Sequence, residues 1–325
     1  MKEADYAYAS AYTRTLENKM LKKSDIEALL SVSSLEEALR ILSDKGYEYS
    51  KTGQGIDTDT MLKEELLYIW KEVKDACPKD APIYILLYQN DFHNLKAILK
   101  SVFSGVAYES LMMEPYTISP GEIYHAVSEG KIENLPEIIR EPAANAYDIL
   151  ARDNDGQLAE IVLDKALFSL MYKAAVSSKN DFLMDWVDLN IALMNMKVAL
   201  RGAYSGKSRE FLRDSMLQCK RINADELANA SAQDISNLLE VFRQSGFEEA
   251  ADAARQSISA FEKWCDNELI RFIQPARYIT YGFEPVFGFL VGKQFELKAV
   301  RMILSGIRSK IPAEALRERL RDLYV

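Results

Sequence analysis

The segment Ser205-Gly206-Lys207-Ser208 has the most recognisable chemical pattern in the chain, because it matches the end of a phosphate-binding loop. In such a loop a strand leads into a glycine-rich turn whose N–H groups converge on the phosphates. Here Arg201 occupies the position of the first glycine, and a helical pattern rather than a strand precedes the segment. Gly53-Gln54-Gly55 likewise lacks a third glycine and a preceding strand. We therefore predict a helix end at Gly206 and a flexible connector at 53–55.

Two further segments contain potential metal ligands. Asp153-Asn154-Asp155-Gly156, with Glu160, supplies part of a calcium loop. A complete loop needs three alternate oxygen ligands before the glycine and a glutamate six positions after it. His93 and His125 are the only two histidines, and Asp91 with His93 gives two ligands without a visible third. We expect a helix-to-helix turn at 153–156 and no metal or other cofactor.

Nucleophilic catalysis has no local sequence support, because no Ser-His-Asp or Cys-His arrangement is marked by neighbouring residues. Cys77, Cys219 and Cys265 are widely spaced and form no CxxC pair. This spacing predicts neither a disulfide framework nor a zinc site, and it favours a reducing compartment such as the cytosol. The residues therefore give no local support to nucleophilic catalysis.

The bulk composition excludes several classes of function. The chain has 325 residues, of which 48% are hydrophobic, so two or three domains of ordinary size are possible. Its 40 basic and 49 acidic residues give a net charge of −9, which argues against nucleic-acid binding. The acidic, amphipathic amino terminus does not match a signal peptide. The longest apolar runs, 81–88 and 285–292, are shorter than the roughly 18 residues of a membrane span.

One helical pattern occurs three times along the chain. Its copies are Asn90–Gly105, Asn195–Gly206 and Glu296–Gly306. An apolar residue followed by lysine aligns in all three copies, at Leu95-Lys96, Met196-Lys197 and Leu297-Lys298, and each copy ends in Ser-Gly. Because glycine commonly follows the last turn of a helix, we predict the same helix and the same stop three times.

A short helix with a polar cap follows each copy, and a fourth precedes the first copy. These helices begin at Ser24-Asp25, Ser119-Pro120, Asn223-Ala224 and Pro312-Ala313. The copies lie on the order of 100 residues apart, too far for a solenoid repeat. We predict an all-α fold of three similar helical modules, 1–117, 118–221 and 222–325, arranged around a pseudo-threefold axis.

Basic residues recur in register in the repeated helix. Lys96, Lys197 and Lys298 align, and Lys100, Arg201 and Arg301 lie about one turn later. Cyclically arranged modules would place these cations on one face, where a partner could bind them. The alternative is a solvated helix face whose cations favour the C-terminal end of the helix dipole.

The chain resembles the C subunit of V-type and archaeal-type rotary ATPases, whose eukaryotic relative is the d subunit, over essentially its whole length. The segments that carry the resemblance are Tyr8–Glu17, Asn90–Lys96, Leu163–Phe168, Glu296–Arg301 and Ile311-Pro312. The chain departs from the family pattern at two positions. Ala192 stands where the second module is expected to carry an aspartate, and Tyr12 stands where an arginine is common.

The resemblance implies a funnel-like arrangement of the three modules on the cytoplasmic face of a membrane. It implies a non-catalytic, peripheral rotor subunit that couples the central stalk, with its shaft subunits D and F, to the proteolipid ring during ion transport or ATP synthesis. The candidate partner contacts are Arg14, Lys96, Lys197 and Lys298. Two alternatives remain open. One is a generic helical adaptor with a different partner, and the other is a metal-dependent helical enzyme that uses aspartates near the module ends.

Overall fold

Helices form nearly all of the regular structure in the computed structural model, which describes residues 3–48, 51–52 and 55–325. The only strands in these ranges are β1 (Lys51–Thr52) and β2 (Gly55–Ile56), a short antiparallel pair with Lys51 opposite Ile56. The predicted connector at 53–55 therefore ends in a strand, and Gly53 and Gln54 lie outside the described residues. The all-α fold class is confirmed.

The helices follow the apolar periodicity of the sequence. In chain order they are α1 (Ala7–Glu17), α2 (Lys23–Ser31), α3 (Leu35–Asp44), α4 (Thr58–Ala76), α5 (Tyr88–Ser104), α6 (Pro120–Ser128), α7 (Glu137–Asp153), α8 (Gly156–Ser178), α9 (Asp181–Ser205), α10 (Arg209–Ser215), α11 (Ala224–Gln233), α12 (Ile235–Gln244), α13 (Glu248–Gln256), α14 (Ile258–Ile273), α15 (Phe283–Arg308) and α16 (Ala313–Arg319). Short 3-10 helices lie at Glu3–Tyr6, Pro82–Leu86, Glu109–Leu111, Ile132–Asn134 and Gln274–Tyr278.

The first of two compact units consists of Met1–Ala81 and Lys263–Val325. Its central helix is α15, which packs against α1, α3, α4 and α16. All residues from 285 to 292 in α15 are buried, which explains why this stretch reads as an unbroken apolar run. A helix that is apolar on every side is stable in water only when neighbouring helices surround it.

The second unit consists of Pro82–Glu262. Within it, α9 packs against α8, α10, α11 and α12, and α5 packs against α6, α7 and α8. Two of the repeated helices, α5 and α9, therefore lie in this unit, whereas the third, α15, lies in the first unit. The predicted modules 1–117 and 222–325 each contain residues of both units. The division into three modules stays a prediction.

The predicted helix stops are confirmed in two of the three copies. Gly105 and Gly206 have left-handed backbones, with φ of +72° and +63°, and end α5 and α9. Gly306 does not end a helix, because α15 continues to Arg308. A Cβ at position 306 would lie 2.5 Å from a side-chain carbon of Leu316 in α16. This glycine therefore provides space for close helix packing, and the prediction of a third stop is wrong.

Other predicted helix ends also need correction. The apolar periodicity from 248 to 273 predicts one continuous helix, but α13 ends at Gln256 and α14 starts at Ile258. Ser257 between them has an extended backbone, and its hydroxyl accepts a hydrogen bond from the Ala260 N–H at 3.0 Å. A serine with this geometry starts a new helix. Similarly, α2 starts at Lys23, before the predicted cap at Ser24.

Candidate partner-contact site

A buried polar residue occupies the same position in each repeated helix, directly before the apolar-lysine pair. In α5 the Asn94 side chain accepts a hydrogen bond from the Met113 N–H at 2.8 Å and donates one to the Met113 carbonyl at 3.0 Å. In α9, Asn195 makes the same two bonds with Leu217, at 3.0 and 2.6 Å. An amide side chain can bind both groups of one residue because it has a donor and an acceptor. Each helix thus holds the extended segment that follows it.

The third copy uses a segment from the other end of the chain. Glu296 stands at the position of the two asparagines, and its carboxylate accepts a hydrogen bond from the Leu21 N–H at 2.7 Å. Leu21 lies two residues before the start of α2, and α3 packs on α15. The capped helix α2 has no repeat helix before it in the sequence. The segment that leads into α2 is therefore bound by the last repeat helix, α15. We call these three side chains, Asn94, Asn195 and Glu296, the repeat clamps.

A carboxylate strengthens two of the clamps. Asp91 in α5 accepts a hydrogen bond from the Thr117 N–H at 2.8 Å, and burial raises the pKa of Asp91 while this bond opposes the rise. In α9 the corresponding position is Ala192, but Asp188, one helical turn earlier, accepts from the Lys220 N–H at 2.8 Å. The aspartate missing from the second copy is thus replaced by a carboxylate on the same face of the helix.

The third copy has a lysine, Lys293, at the position of Asp91. Its ammonium lies 2.7 Å from a carboxylate oxygen of Glu65 and 2.7 Å from one of Glu296. The Tyr47 hydroxyl donates to Glu296 at 2.6 Å. Burial alone would lower the pKa of Lys293, but the two carboxylates outweigh it and raise the pKa. Burial and the charge of Glu296 keep the Tyr47 phenol protonated by raising its pKa well above the ordinary value. This cluster joins α15 to α4 and to the residues after α3.

The clamps suggest a direct stability measurement. Asn195→Leu keeps the size of the side chain but leaves the Leu217 N–H and carbonyl without their partner, which is expected to cost about 1–3 kcal/mol of the free energy of unfolding. Asn190→Leu is a matched control on α9, because among the residues that the structure describes the Asn190 side chain bonds only the Trp186 carbonyl of its own helix. Urea denaturation measures both variants. Equal destabilisation by the two substitutions would contradict the clamp.

The predicted contact lysines have different environments. Lys96 in α5 forms an ion pair of 2.5 Å with Asp164 in α8, although about a quarter of its side chain stays exposed. Lys197 is half-buried and has no ion pair within the described parts of the chain. Lys298 is exposed, and its ammonium lies 4.8 Å from the centre of the Phe295 ring. Lys96 and Lys197 belong to the second unit, and Lys298 belongs to the first.

Arg14 makes contacts mainly within the first unit. Its guanidinium forms an ion pair of 2.6 Å with Glu17 and donates to the carbonyls of Ala276 and Ile279 at 3.0 and 2.6 Å. It therefore ties α1 to the segment after α14. The sequence contained no sign of this role, since the residues it joins are more than 260 positions apart.

The motifs that were discounted from the sequence have structural roles. Asn154 ends α7 with a left-handed backbone, and Asp155 accepts a hydrogen bond from the Leu158 N–H at the start of α8. The predicted turn at 153–156 is thus confirmed.

Ser208 caps α10 by accepting a hydrogen bond from the Phe211 N–H. The ring of His93 lies 2.9 Å from the Leu111 carbonyl oxygen. Within the described ranges, no three His, Cys, Asp or Glu side chains are grouped to hold a metal ion.

Comparison with protein families identifies the chain. The model of the ATP synthase (C/AC39) subunit family matches residues 9–319. The chain belongs to this family. Among its relatives, the C subunit of the V-type sodium ATPase of Enterococcus hirae is 20% identical, with 98% of this chain and 99% of the relative covered. The C subunit of the A-type ATP synthase of Methanocaldococcus jannaschii is 24% identical, with 98% and 87% covered. The C subunit of the V-type ATP synthase of Thermus thermophilus is 26% identical, with 62% and 64% covered.

The resemblance stated from the sequence is thus confirmed for the C subunit family of V-type and A-type ATPases. Two segments that carried it, Asn90–Lys96 and Leu163–Phe168, meet in the structure through the Lys96–Asp164 ion pair. In the described ranges, no helix has the length and apolar character needed to span a bilayer.

Proposed function

We propose that this protein is a non-catalytic part of the rotor that couples the central shaft of a V/A-type rotary ATPase to the membrane ring that carries ions. The observation that supports this proposal most is the family match over residues 9–319. In this proposal the partners are the ring proteolipids and the shaft subunits D and F, and the protein lies at the cytoplasmic face of the membrane without entering it.

The repeat clamps suit a part that transmits torque. Close-packed protein interiors resist compression, so a helix bundle can transmit force with little deformation. The connecting segments must then be held in place as well, so that they do not move relative to the helices. Each clamp is a buried side chain that holds such a segment by hydrogen bonds, and Lys293 adds an ionic cluster in the third copy. The proposal includes three modules, 1–117, 118–221 and 222–325, arranged as a funnel around a pseudo-threefold axis. The repeated clamps support a common origin of these modules.

The experiment for this function is affinity purification of the tagged protein from membranes solubilised in mild detergent. We expect the ring proteolipids and the shaft subunits to be recovered in stoichiometric amounts. Recovery with neither of them, but with another protein, would favour a generic helical adaptor and overturn the proposal.

Lys96, Lys197 and Lys298 are proposed to contact these partners, and the same purification tests them. Replacing all three with glutamate reverses three charges, and we expect about a tenfold loss of partner affinity, since charges at the rim of an interface contribute modestly. Lys23, Lys79 and Lys173 are exposed lysines outside the repeated positions, so the same replacements there provide a control of equal charge. Equal recovery of partners with both triple variants would remove the three lysines from the interface.

A further inference from the structure

Three tyrosines, two of them exposed and Tyr12 half-buried, form an aromatic surface where α1 and α4 meet in the first unit. The side chain of Tyr8 is 70% exposed, and that of Tyr68 is 47% exposed. The rings of Tyr8 and Tyr12 are stacked, with centroids 6.2 Å apart and planes inclined by 6°. The Tyr12 hydroxyl donates a hydrogen bond to Glu72, which lies one turn after Tyr68 in α4. Large exposed aromatic side chains grouped in this way are typical of interaction sites.

The surroundings of these rings are acidic. Glu64 and Glu72 lie four residues before and after Tyr68, so all three are on one face of α4. Glu64 is exposed, and Asp75 extends the acidic row by one more turn. Lys71 lies 3.5 Å from Asp75 and balances that carboxylate. We call Tyr8, Tyr12, Tyr68, Glu64 and Glu72 the tyrosine-acid surface.

The neighbouring face of α1 is formed by small side chains. Ala7, Ala11 and Thr15 are exposed and follow one another at intervals of four residues. Side chains at this spacing form a row along the helix, and small ones permit a second helix to approach closely. The tyrosines stand beside this row, so an approaching helix would bring its own side chains over their rings.

We propose that the tyrosine-acid surface binds an amphipathic helix of a partner protein that carries arginine or lysine side chains on the facing side. The faces of tyrosine rings attract cations, and the neighbouring carboxylates add to this attraction. Anionic partners such as phospholipid headgroups are repelled by the same carboxylates. The inference rests on the proposed function only in that a rotor protein would supply the helix. Binding of a cationic helix to the tyrosine-acid surface can be tested separately with a synthetic helix.

The test uses the full chain and a synthetic alanine-based helix with two arginines four residues apart, labelled for fluorescence anisotropy at low ionic strength. We expect this helix to bind and a version with glutamate in place of arginine not to bind. The double variant Tyr8→Ala, Tyr68→Ala keeps all carboxylates and should bind about tenfold more weakly, since each exposed cation–ring contact contributes roughly two- to fivefold. Tyr8→Phe with Tyr68→Phe keeps the rings and should retain affinity within about twofold.

Tyr204→Ala is the matched control, because Tyr204 is 52% exposed but belongs to the other unit. It should bind the arginine helix as the unaltered protein does. Equal binding of the arginine and glutamate helices, or full affinity of the double alanine variant, would overturn the inference. A dimer in sedimentation analysis that disappears with Tyr8→Ala would also overturn it, because the occupant would then be a second copy of the chain. None of these outcomes depends on whether the ring and shaft proteins are recovered in the purification described above.

Discussion

Replacing Lys293 with methionine is expected to cost about 3–5 kcal/mol of the free energy of unfolding. The side chain of Lys293 is 3% exposed, and its ammonium lies between the carboxylates of Glu65 and Glu296, of which the Glu296 side chain is 2% exposed. Without the lysine, two carboxylates remain close together away from water, and neither has another ion-pair partner within the described residues. Urea denaturation measures the loss. Glu296→Gln in the Lys293→Met background removes one of these charges and should recover part of it.

Arg301 supplies the control for this prediction, because it lies on the same helix and forms an ion pair with Asp59. Both of these side chains are more than half exposed, at 54% and 70%. Exposed ion pairs contribute about 0–1 kcal/mol, so Arg301→Met should have little effect. A cost for Lys293→Met no larger than that for Arg301→Met would show that the buried cluster does not hold the third repeat in place.

Replacing Tyr324 with alanine is expected to cost about 3–5 kcal/mol, as for other large buried side chains. Tyr324 is 1% exposed, and its ring lies directly on Gly292 of α15. A Cβ at position 292 would lie 2.5 Å from the ring. The Tyr324 hydroxyl also donates to Glu17 at 3.1 Å, and Arg277 donates to the Tyr324 carbonyl at 3.2 Å. These contacts hold the ring against α15.

The packing of this ring predicts strong coupling between two substitutions. Gly292→Ala alone should destabilise the protein by about 1–3 kcal/mol through overpacking, despite the better helix propensity of alanine. In the Tyr324→Ala background the same methyl group fills part of the cavity and should be neutral or stabilising, so the two effects are not additive. Gly156→Ala is the control, since apart from its chain neighbours and its own helix backbone no described atom lies within 4 Å of the added carbon. Additive effects at positions 292 and 324 would contradict the contact.

Local patterns in the sequence were sufficient for the fold class and for the turn at 153–156. Helical periodicity is a local signal, and the Asp and Asn residues of that turn cap the two helices that flank it. The glycine at 306 was misread because a glycine that ends a helix and one that admits a neighbouring side chain look alike in sequence. Only the position of Leu316 distinguishes them.

Most contacts of the candidate site could not be predicted from the sequence. Glu296 and Leu21 are 275 residues apart, and Lys96 and Asp164 are 68 apart, so no local pattern marks either pair. The repeat clamps did have a signal, because a polar residue precedes the apolar-lysine pair in every copy. A buried polar residue needs a partner, and this requirement could have identified the clamps in advance.

We propose that this protein passes torque between the shaft and the ring, and simultaneous measurement of ATP hydrolysis and ion transport tests this proposal most directly. Membrane vesicles that contain the complete ATPase are compared with vesicles made without this protein. The account predicts that ATP-driven ion transport is lost in its absence while the catalytic part still hydrolyses ATP, and that adding the purified protein restores transport. Ion transport at the normal rate in its absence would contradict the account.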